Sequence, residues 1–309
     1  MTGAEARQSK EVEGEAMLTT MKMIGLSAVL AATLMATPGR SAEIPAQKVN
    51  EQVRALVPAP IRDRGYMVAV NSGSYPPYDI ILGPNKLEGA SADLGVAIGQ
   101  ILGVEIRHQT VSGLAAMLAG FDAGRYDMSV GPIGDFPDRR SKIDFIDWVQ
   151  EYVAFAVQKG NPRNIQKLED VCGLNIAVMA AGSAERVLKK KAEECEAAGK
   201  PTVVQSFQDQ NGAILAVRSK RADGFFSGQA PLTYLVSQAP NLLDLAAANL
   251  PNGFGDIYQG AIAPNNTDLR KAILASFEIL VENGTYAQIM KKWGLDRNMI
   301  KQPGINLAK

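Results

Sequence analysis

The chain has 309 residues, enough for one large domain or two ordinary ones. Hydrophobic residues make up 46% and charged residues 21%, values that let a globular chain bury a sizeable core. Lys+Arg and Asp+Glu both number 32, and this balance leaves no electrostatic footprint for nucleic acid or an anionic membrane, so neither is an expected partner.

Residues 1–42 read as an upstream extension and a signal peptide. Residues 1–16 are polar, and Met17 or Met21 could equally start translation. Lys22 then supplies a positive charge ahead of an uncharged apolar run of 14 residues, Met23 to Ala36. A membrane-spanning helix needs about 20 such residues, so the run is too short to span and fits a signal core. Export to the periplasm is expected, with Ala42 as a plausible last signal residue and Arg40 poorly suited two places before it. Residues 43–64 are polar with scattered prolines and read as a lead-in outside the core.

From residue 65 strands and helices alternate. Met67 to Val70 is a short apolar strand running into Asn71-Ser72-Gly73-Ser74, and Tyr75-Pro76-Pro77-Tyr78 is a rigid aromatic loop. Ser91 is placed to cap a helix whose apolar face is Leu94, Ile98, Ile101 and Leu102 and which Gly103 ends. Val104 to Val111 alternates as a strand, Leu114 to Phe121 is helical, and Tyr126 to Gly131 is a third strand. That order implies parallel pairing through helical crossovers.

A second unit of similar plan follows. Asn175 to Met179, Thr202 to Phe207 and Gly224 to Phe226 are predicted strands, separated by helices over 183–195 and 213–217. Two apolar runs, Tyr152 to Val157 and Ile257 to Ala263, bracket this unit. Read as strands joining two lobes, they make a hinge with a cleft facing it. An amphipathic helix begins near Asp268, and Tyr286, Ile289, Met290 and Trp293 form a last helical face. The expected fold is α/β and two-lobed, each lobe a mostly parallel sheet flanked by helices. The first part of lobe one covers 65–154, lobe two 155–257, and the return to lobe one 258–309.

Several segments carry a resemblance. Ser74-Tyr75-Pro76-Pro77-Tyr78, Gly124-Arg125-Tyr126-Asp127, Pro137-Asp138-Arg139, Ile143-Asp144-Phe145, Gly182-Ser183, Gly284-Thr285-Tyr286 and Lys292-Trp293-Gly294 occur in the order in which similar motifs occur in one family. The chain resembles, over about 65–296, the extracytoplasmic solute-binding proteins of ABC transporters, polar amino-acid family (bacterial solute-binding protein family 3, type II periplasmic-binding fold). The resemblance implies a monomeric, non-enzymatic protein without cofactor or metal. Its partners would be a small carboxylate-bearing ligand and the membrane permease of an importer. The implied ligand-binding residues are Ser72, Tyr75, Leu114, Gly131, Pro132, Gly134, Arg139, Ser183, Ala184, Gly228 and Gln229. Arg139 suits a bidentate grip on a carboxylate, and the helix end at Ser183-Ala184 offers free backbone N–H groups to the same anion.

The sequence also departs from that family. Pro132 stands where a hydroxyl residue is usual, and Gly228-Gln229 where an aspartate usually holds the ligand's α-ammonium. Leu114 replaces a second aromatic wall, and Ser72 replaces an acidic or polar selector. The carboxylate grip is expected to persist and the ammonium grip to be lost or rebuilt, with Asp135 able to restore the charge if it turns inward. The expected ligand is thus an anion or an unusual amino-acid derivative.

Cys172 and Cys195 are too far apart for a CxxC pair, and with His108 as the single histidine no ordinary His/Cys metal site can assemble. One structural disulfide is the simplest account, with two buried thiols as the alternative. A rival function on the same fold is a periplasmic cyclohexadienyl or arogenate dehydratase. That chemistry needs a positioned acid, and the cleft loops read here offer no glutamate. P-loop, Rossmann and serine-protease motifs are not found.

Overall fold

The structure, a computed structural model, describes residues 44–83 and 86–309. The signal-peptide reading of 1–42 lies outside the described residues. In lobe one the chain opens with helices α1 (Glu51–Arg54) and α2 (Ala59–Arg64). The lead-in reading of this stretch is corrected, because Val53, Val57 and Ile61 are all buried in the main core. Their spacing of four residues forms a helical stripe that the surrounding prolines obscure. The Asn50 side chain accepts from the N–H groups of Gln52 and Val53, and Arg54 donates to the Gly103 carbonyl at 2.6 Å, tying the segment down.

Strand β1 (Tyr66–Asn71) is followed by a small antiparallel sheet of β2 (Ser74–Tyr75), β3 (Asp79–Gly83) and β4 (Lys86–Glu88), in which Tyr75 lies opposite Asp79. Helix α3 (Ala90–Leu102) starts at Gly89 rather than at a Ser91 cap. The Ser91 hydroxyl lies inside the first turn and donates to the Gly131 carbonyl instead. Strand β5 (Glu105–Thr110) pairs parallel with β1. Helix α4 (Leu114–Asp122), strand β6 (Ser129–Gly134) and the long strand β7 (Ile143–Glu151) complete this half of the lobe.

Lobe two is built on one five-stranded sheet. Its elements are β8 (Val153–Gln158), β9 (Asn175–Met179), α5 (Ser183–Ala197), β10 (Val203–Phe207), α6 (Gln210–Arg218), β11 (Gly224–Gly228), α7 (Gln229–Ser237) and β12 (Leu243–Leu250). The strand order is β10-β9-β11-β8-β12, with β9, β10 and β11 parallel and β8 and β12 antiparallel to their neighbours. Apolar side chains fill both faces: Phe155 stacks on Phe226 at 4.5 Å on one, and Phe225, Leu232 and Val217 pack on the other. Cys172 and Cys195 are bonded, with Cα atoms 5.2 Å apart, and the bond fastens α5 to the segment before β9.

The chain returns through β13 (Ile257–Pro264), then forms α8 (Asp268–Glu282), α9 (Thr285–Lys292) and β14 (Met299–Ile305). Strand β13 runs antiparallel between β6 and β7, and β14 adds to the outer edge of β7. The lobe-one core centres on Trp148, which is fully buried, stacks on Phe277 at 5.8 Å and donates its indole N–H to the Val130 carbonyl at 2.9 Å. Two covalent crossings join the lobes, one from β7 to β8 and one from β12 to β13.

Candidate functional site

A cleft of about 750 Å³, counting its open mouth, lies between the lobes. The lobe-one wall comes from the ends of β1 and β6 and from the β2–β3 hairpin. The lobe-two wall comes from the turn into α5 and the end of β11. Ten of the eleven residues expected from the sequence line it: Ser72, Tyr75, Leu114, Gly131, Pro132, Gly134, Arg139, Ser183, Ala184 and Gly228. Gln229 is the exception and is corrected here. As the first residue of α7 it turns away from the cleft, where its side chain exchanges two hydrogen bonds with Asn249, at 3.0 and 2.8 Å.

Backbone shape places Arg139. Gly131 sits at φ +88°, and a Cβ there would lie 2.3 Å from the Gly260 carbonyl oxygen, so β6 can press against β13 only with glycine at this point. The strand then ends in a single 3-10 turn over Pro137–Arg139. From it Arg139 donates Nη1 to the Gly134 carbonyl at 3.0 Å and Nη2 across the cleft to the Ala181 carbonyl at 2.6 Å. Burial, and then the nearby Arg186, lower its pKa to about 10, which still leaves it charged at neutral pH. The adjacent acids are engaged elsewhere: Asp138 pairs with Arg186 at 3.0 Å, and Asp135 with Arg140 at 2.6 Å.

Opposite Arg139, α5 begins at Ser183 with no side chain capping its first turn. A helix start leaves backbone N–H groups without intrahelical partners and carries partial positive charge. Glu185 reaches back only as far as the Ala181 N–H, at 2.9 Å. The cleft therefore brings a guanidinium from lobe one and a helix N-terminus from lobe two to one cavity.

Two carboxyl groups that sequence reasoning missed also line the cleft. Glu151, at the end of β7, is 2% exposed and accepts four hydrogen bonds, from Tyr78 Oη at 3.1 Å, Tyr152 N at 2.9 Å, Ala230 N at 3.3 Å and Asn298 Nδ2 at 3.1 Å. Burial raises its pKa to about 7, against those four donors. Glu151 is thus a glutamate lining the cleft that the loops read from the sequence did not offer. Asp79, on β3, is 5% exposed, and its Oδ1 is buried without a hydrogen-bond partner. Burial raises Asp79 to about 7 as well, with Ser91 pulling the other way.

Asp135 does not turn inward to restore the missing charge, and that expectation is corrected. Its side chain accepts from Arg140 at 2.8 and 2.6 Å and from the Ala308 N–H at 3.0 Å, so it holds the C-terminal segment instead of facing the cavity. Gly228 has a physical reason for carrying no side chain. A Cβ there would lie 2.5 Å from Tyr75 Oη and 3.3 Å from the Glu151 carboxyl carbon, so the space is already filled by those two groups. Tyr75 itself stacks on Tyr78 at 5.5 Å and approaches Gln259 Oε1 at 3.4 Å.

The chain is similar to the arginine-binding protein ArgT of Corynebacterium glutamicum, 26% identical over 82% of this chain and 83% of that protein. It is similar to the crystal structure of an ancestral arginine-binding protein bound to glutamine, 26% identical, with a TM-score of 0.66 over 75% of this chain and 99% of that one. The amino-acid-binding protein AbpA of Streptococcus pneumoniae, solved with L-arginine, shares the fold at 18% identity and a TM-score of 0.68, covering 77% of this chain and 98% of that one. The sequence profile of the bacterial extracellular solute-binding proteins, family 3, matches residues 67–296. The chain therefore belongs to that family, the bacterial extracellular solute-binding proteins, on a two-lobed type II periplasmic-binding fold.

Proposed function

We propose that this protein, exported to the periplasm by its N-terminal segment, captures a small carboxylate-bearing solute, an amino acid or amino-acid derivative, by closing its lobes around it and presents it to the membrane permease. Arg139 and the first turn of α5 grip the carboxylate, and Tyr75 covers the ligand from the lobe-one side. The observation that carries this reading is the position of Arg139: a partly buried guanidinium, lining the cleft, donating only to backbone carbonyls, and facing an uncapped helix start on the other lobe. A ligand carboxylate would exchange neutral acceptors for a charge-assisted pair, a contact worth about 1.5–3 kcal/mol.

Because the two groups come from different lobes, they act on one anion only when the cleft is shut. That difference in affinity between open and closed forms is what couples binding to closure. The test is a thermal-shift and calorimetric comparison of the native protein with Arg139→Ala. Binding of carboxylate-bearing probes should be lost in the variant while the ligand-free melting temperature changes little. An unchanged dissociation constant removes Arg139 from the site, and release of phenylpyruvate from prephenate would replace the binding function with an enzymatic one.

A further inference from the structure

We propose that Asp135, Arg140, Leu307 and Ala308 form a brace that positions Arg139 for its ligand, although none of the four lines the cleft. This deepens the carboxylate reading above and rests on it. Arg139 stands on a single 3-10 turn, Pro137–Arg139. The backbone bonds of that turn are few: the Arg139 N–H donates to the Phe136 carbonyl at 2.9 Å and the Arg140 N–H to the Pro137 carbonyl at 3.2 Å. A turn so short holds its shape poorly by itself. A two-pronged grip on a carboxylate, in contrast, works only when the guanidinium is held close to one geometry.

The brace closes the turn into a ring. Asp135 stands before it and donates its N–H to the Tyr258 carbonyl at 3.0 Å, which fixes one end to β13. Arg140 stands after it and returns to Asp135 through two parallel bonds, Nε to Oδ1 at 2.8 Å and Nη2 to Oδ2 at 2.6 Å. The Asp135 side chain is fully buried, so this fork joins the two ends of the turn away from competing water.

Leu307 and Ala308 tie the ring to the sheet. Ala308 donates its N–H to Asp135 Oδ2 at 3.0 Å and accepts from Arg140 Nη2 at 2.7 Å, so one residue clamps both partners of the ion pair. Leu307 donates its N–H to Asp147 Oδ2 at 2.9 Å, and Asn306 is bonded to the Phe145 N–H and to Asp144, which anchors the segment on β7. Strand β7 therefore holds the segment, and the segment holds the turn. The family profile matches residues 67–296, so this part of the brace lies beyond the matched region. A guanidinium held in place before the ligand arrives loses less freedom on binding, and affinity gains by that saving.

The test uses two variants that leave Arg139 untouched. One is a chain ending at Asn306; the other combines Asp135→Asn with Arg140→Gln, removing both charges so that neither is stranded. The standard L-amino acids are screened by thermal shift, and the strongest is compared with its carboxamide by calorimetry. Affinity for the carboxylate should fall roughly 10-fold in each variant while affinity for the carboxamide changes little, because the carboxylate alone depends on where Arg139 points. Arg140→Lys, which keeps a charge beside Asp135, should retain most of the native preference. Equal losses for carboxylate and carboxamide would assign the segment to the fold instead of to Arg139. Native carboxylate affinity in either variant overturns the brace and leaves the carboxylate site standing. A native protein that binds no probe, or binds carboxylate and carboxamide alike, removes the carboxylate site and the brace with it. A readout needing no ligand is amide hydrogen exchange: residues 135–140 should exchange faster in both variants while the lobe-two sheet stays as slow as before, and unchanged exchange over 135–140 overturns the brace.

Discussion

Gly228 shows how one missing side chain shapes the site. It lies at the end of β11 in lobe two, yet the atoms nearest its absent Cβ belong to Tyr75 of lobe one and to Glu151 at the crossing. Gly228→Ala therefore inserts a methyl group between the lobes. Tyr75 cannot swing aside freely, since it is stacked on the fully buried Tyr78. Overpacking of this kind costs about 1–3 kcal/mol. The cost falls on the closed form, so ligand affinity should drop by about tenfold or more while the ligand-free protein melts almost as before. Equal losses in both quantities would mean that the contact belongs to the fold and not to closure. The same neighbourhood marks the limit of what sequence could reveal. Arg139, Tyr75 and the start of α5 lie inside local motifs and could be read directly. Asp79 stands one residue beyond such a motif and gains meaning only when the hairpin pairs it with Tyr75. Glu151 is brought to the cleft by a long strand and surrounded by groups from residues 78, 152, 230 and 298, a convergence no local pattern encodes.

Elements with a strong period of their own were legible: α3 and α8 lie close to where their apolar spacing places them, and α5 starts at the Gly182-Ser183 turn that marks it in the sequence. Those missed are defined by distant partners. Strand β12 is held by β8, β14 lies along the outer edge of β7, and α1 and α2 are too short to show more than a few apolar positions. Helix α5 shows how a helix with little apolar face of its own is fixed. Its hydrophobic face is narrow, with Ala184, Leu188 and Cys195 as its buried residues, and much of its length is charged. The Cys172–Cys195 bond closes a loop with a sequence separation of 23 and anchors the C-terminal end of the helix, leaving its first turn to face the cleft. Loop-closure entropy for a span of that size corresponds to about 3 kcal/mol. Reduction, or Cys172→Ala with Cys195→Ala, should lower the unfolding free energy by that order in chemical denaturation and weaken ligand binding, because the first turn of α5 is the proposed anion site. Stability unaffected by reduction would mean that packing alone holds the helix.

Across the whole molecule, the lobes meet through bonds that span the cleft: Arg139 to the Ala181 carbonyl, Arg186 to Asp138, and Gln208 to the Ser112 carbonyl at 3.5 Å. The Arg186–Asp138 pair is exposed on both sides, so it contributes about 1 kcal/mol at most. The larger electrostatic consequence comes from buried acids. Asp79 and Glu151 are raised to about 7, and Asp147, buried with Asp135 adding to the effect, to about 8. Each retains its proton in the folded state at a pH where the unfolded chain has released it. The folded form then binds more protons, and stability must fall as pH rises from about 4 towards 8. Asp144 and Glu185 oppose this at the acid end. Hydrogen bonds and basic neighbours hold their pKa values low, so their contribution is present above the usual carboxylate range and lost as pH drops below it. His108, lowered by burial, also costs stability below about pH 6.5, one group against three. The ligand-free protein should therefore melt several degrees higher at pH 5 than at pH 8. A melting temperature that rises steadily from pH 5 to 8 without ligand would show instead that these buried carboxyl groups are ionised and compensated in the folded protein.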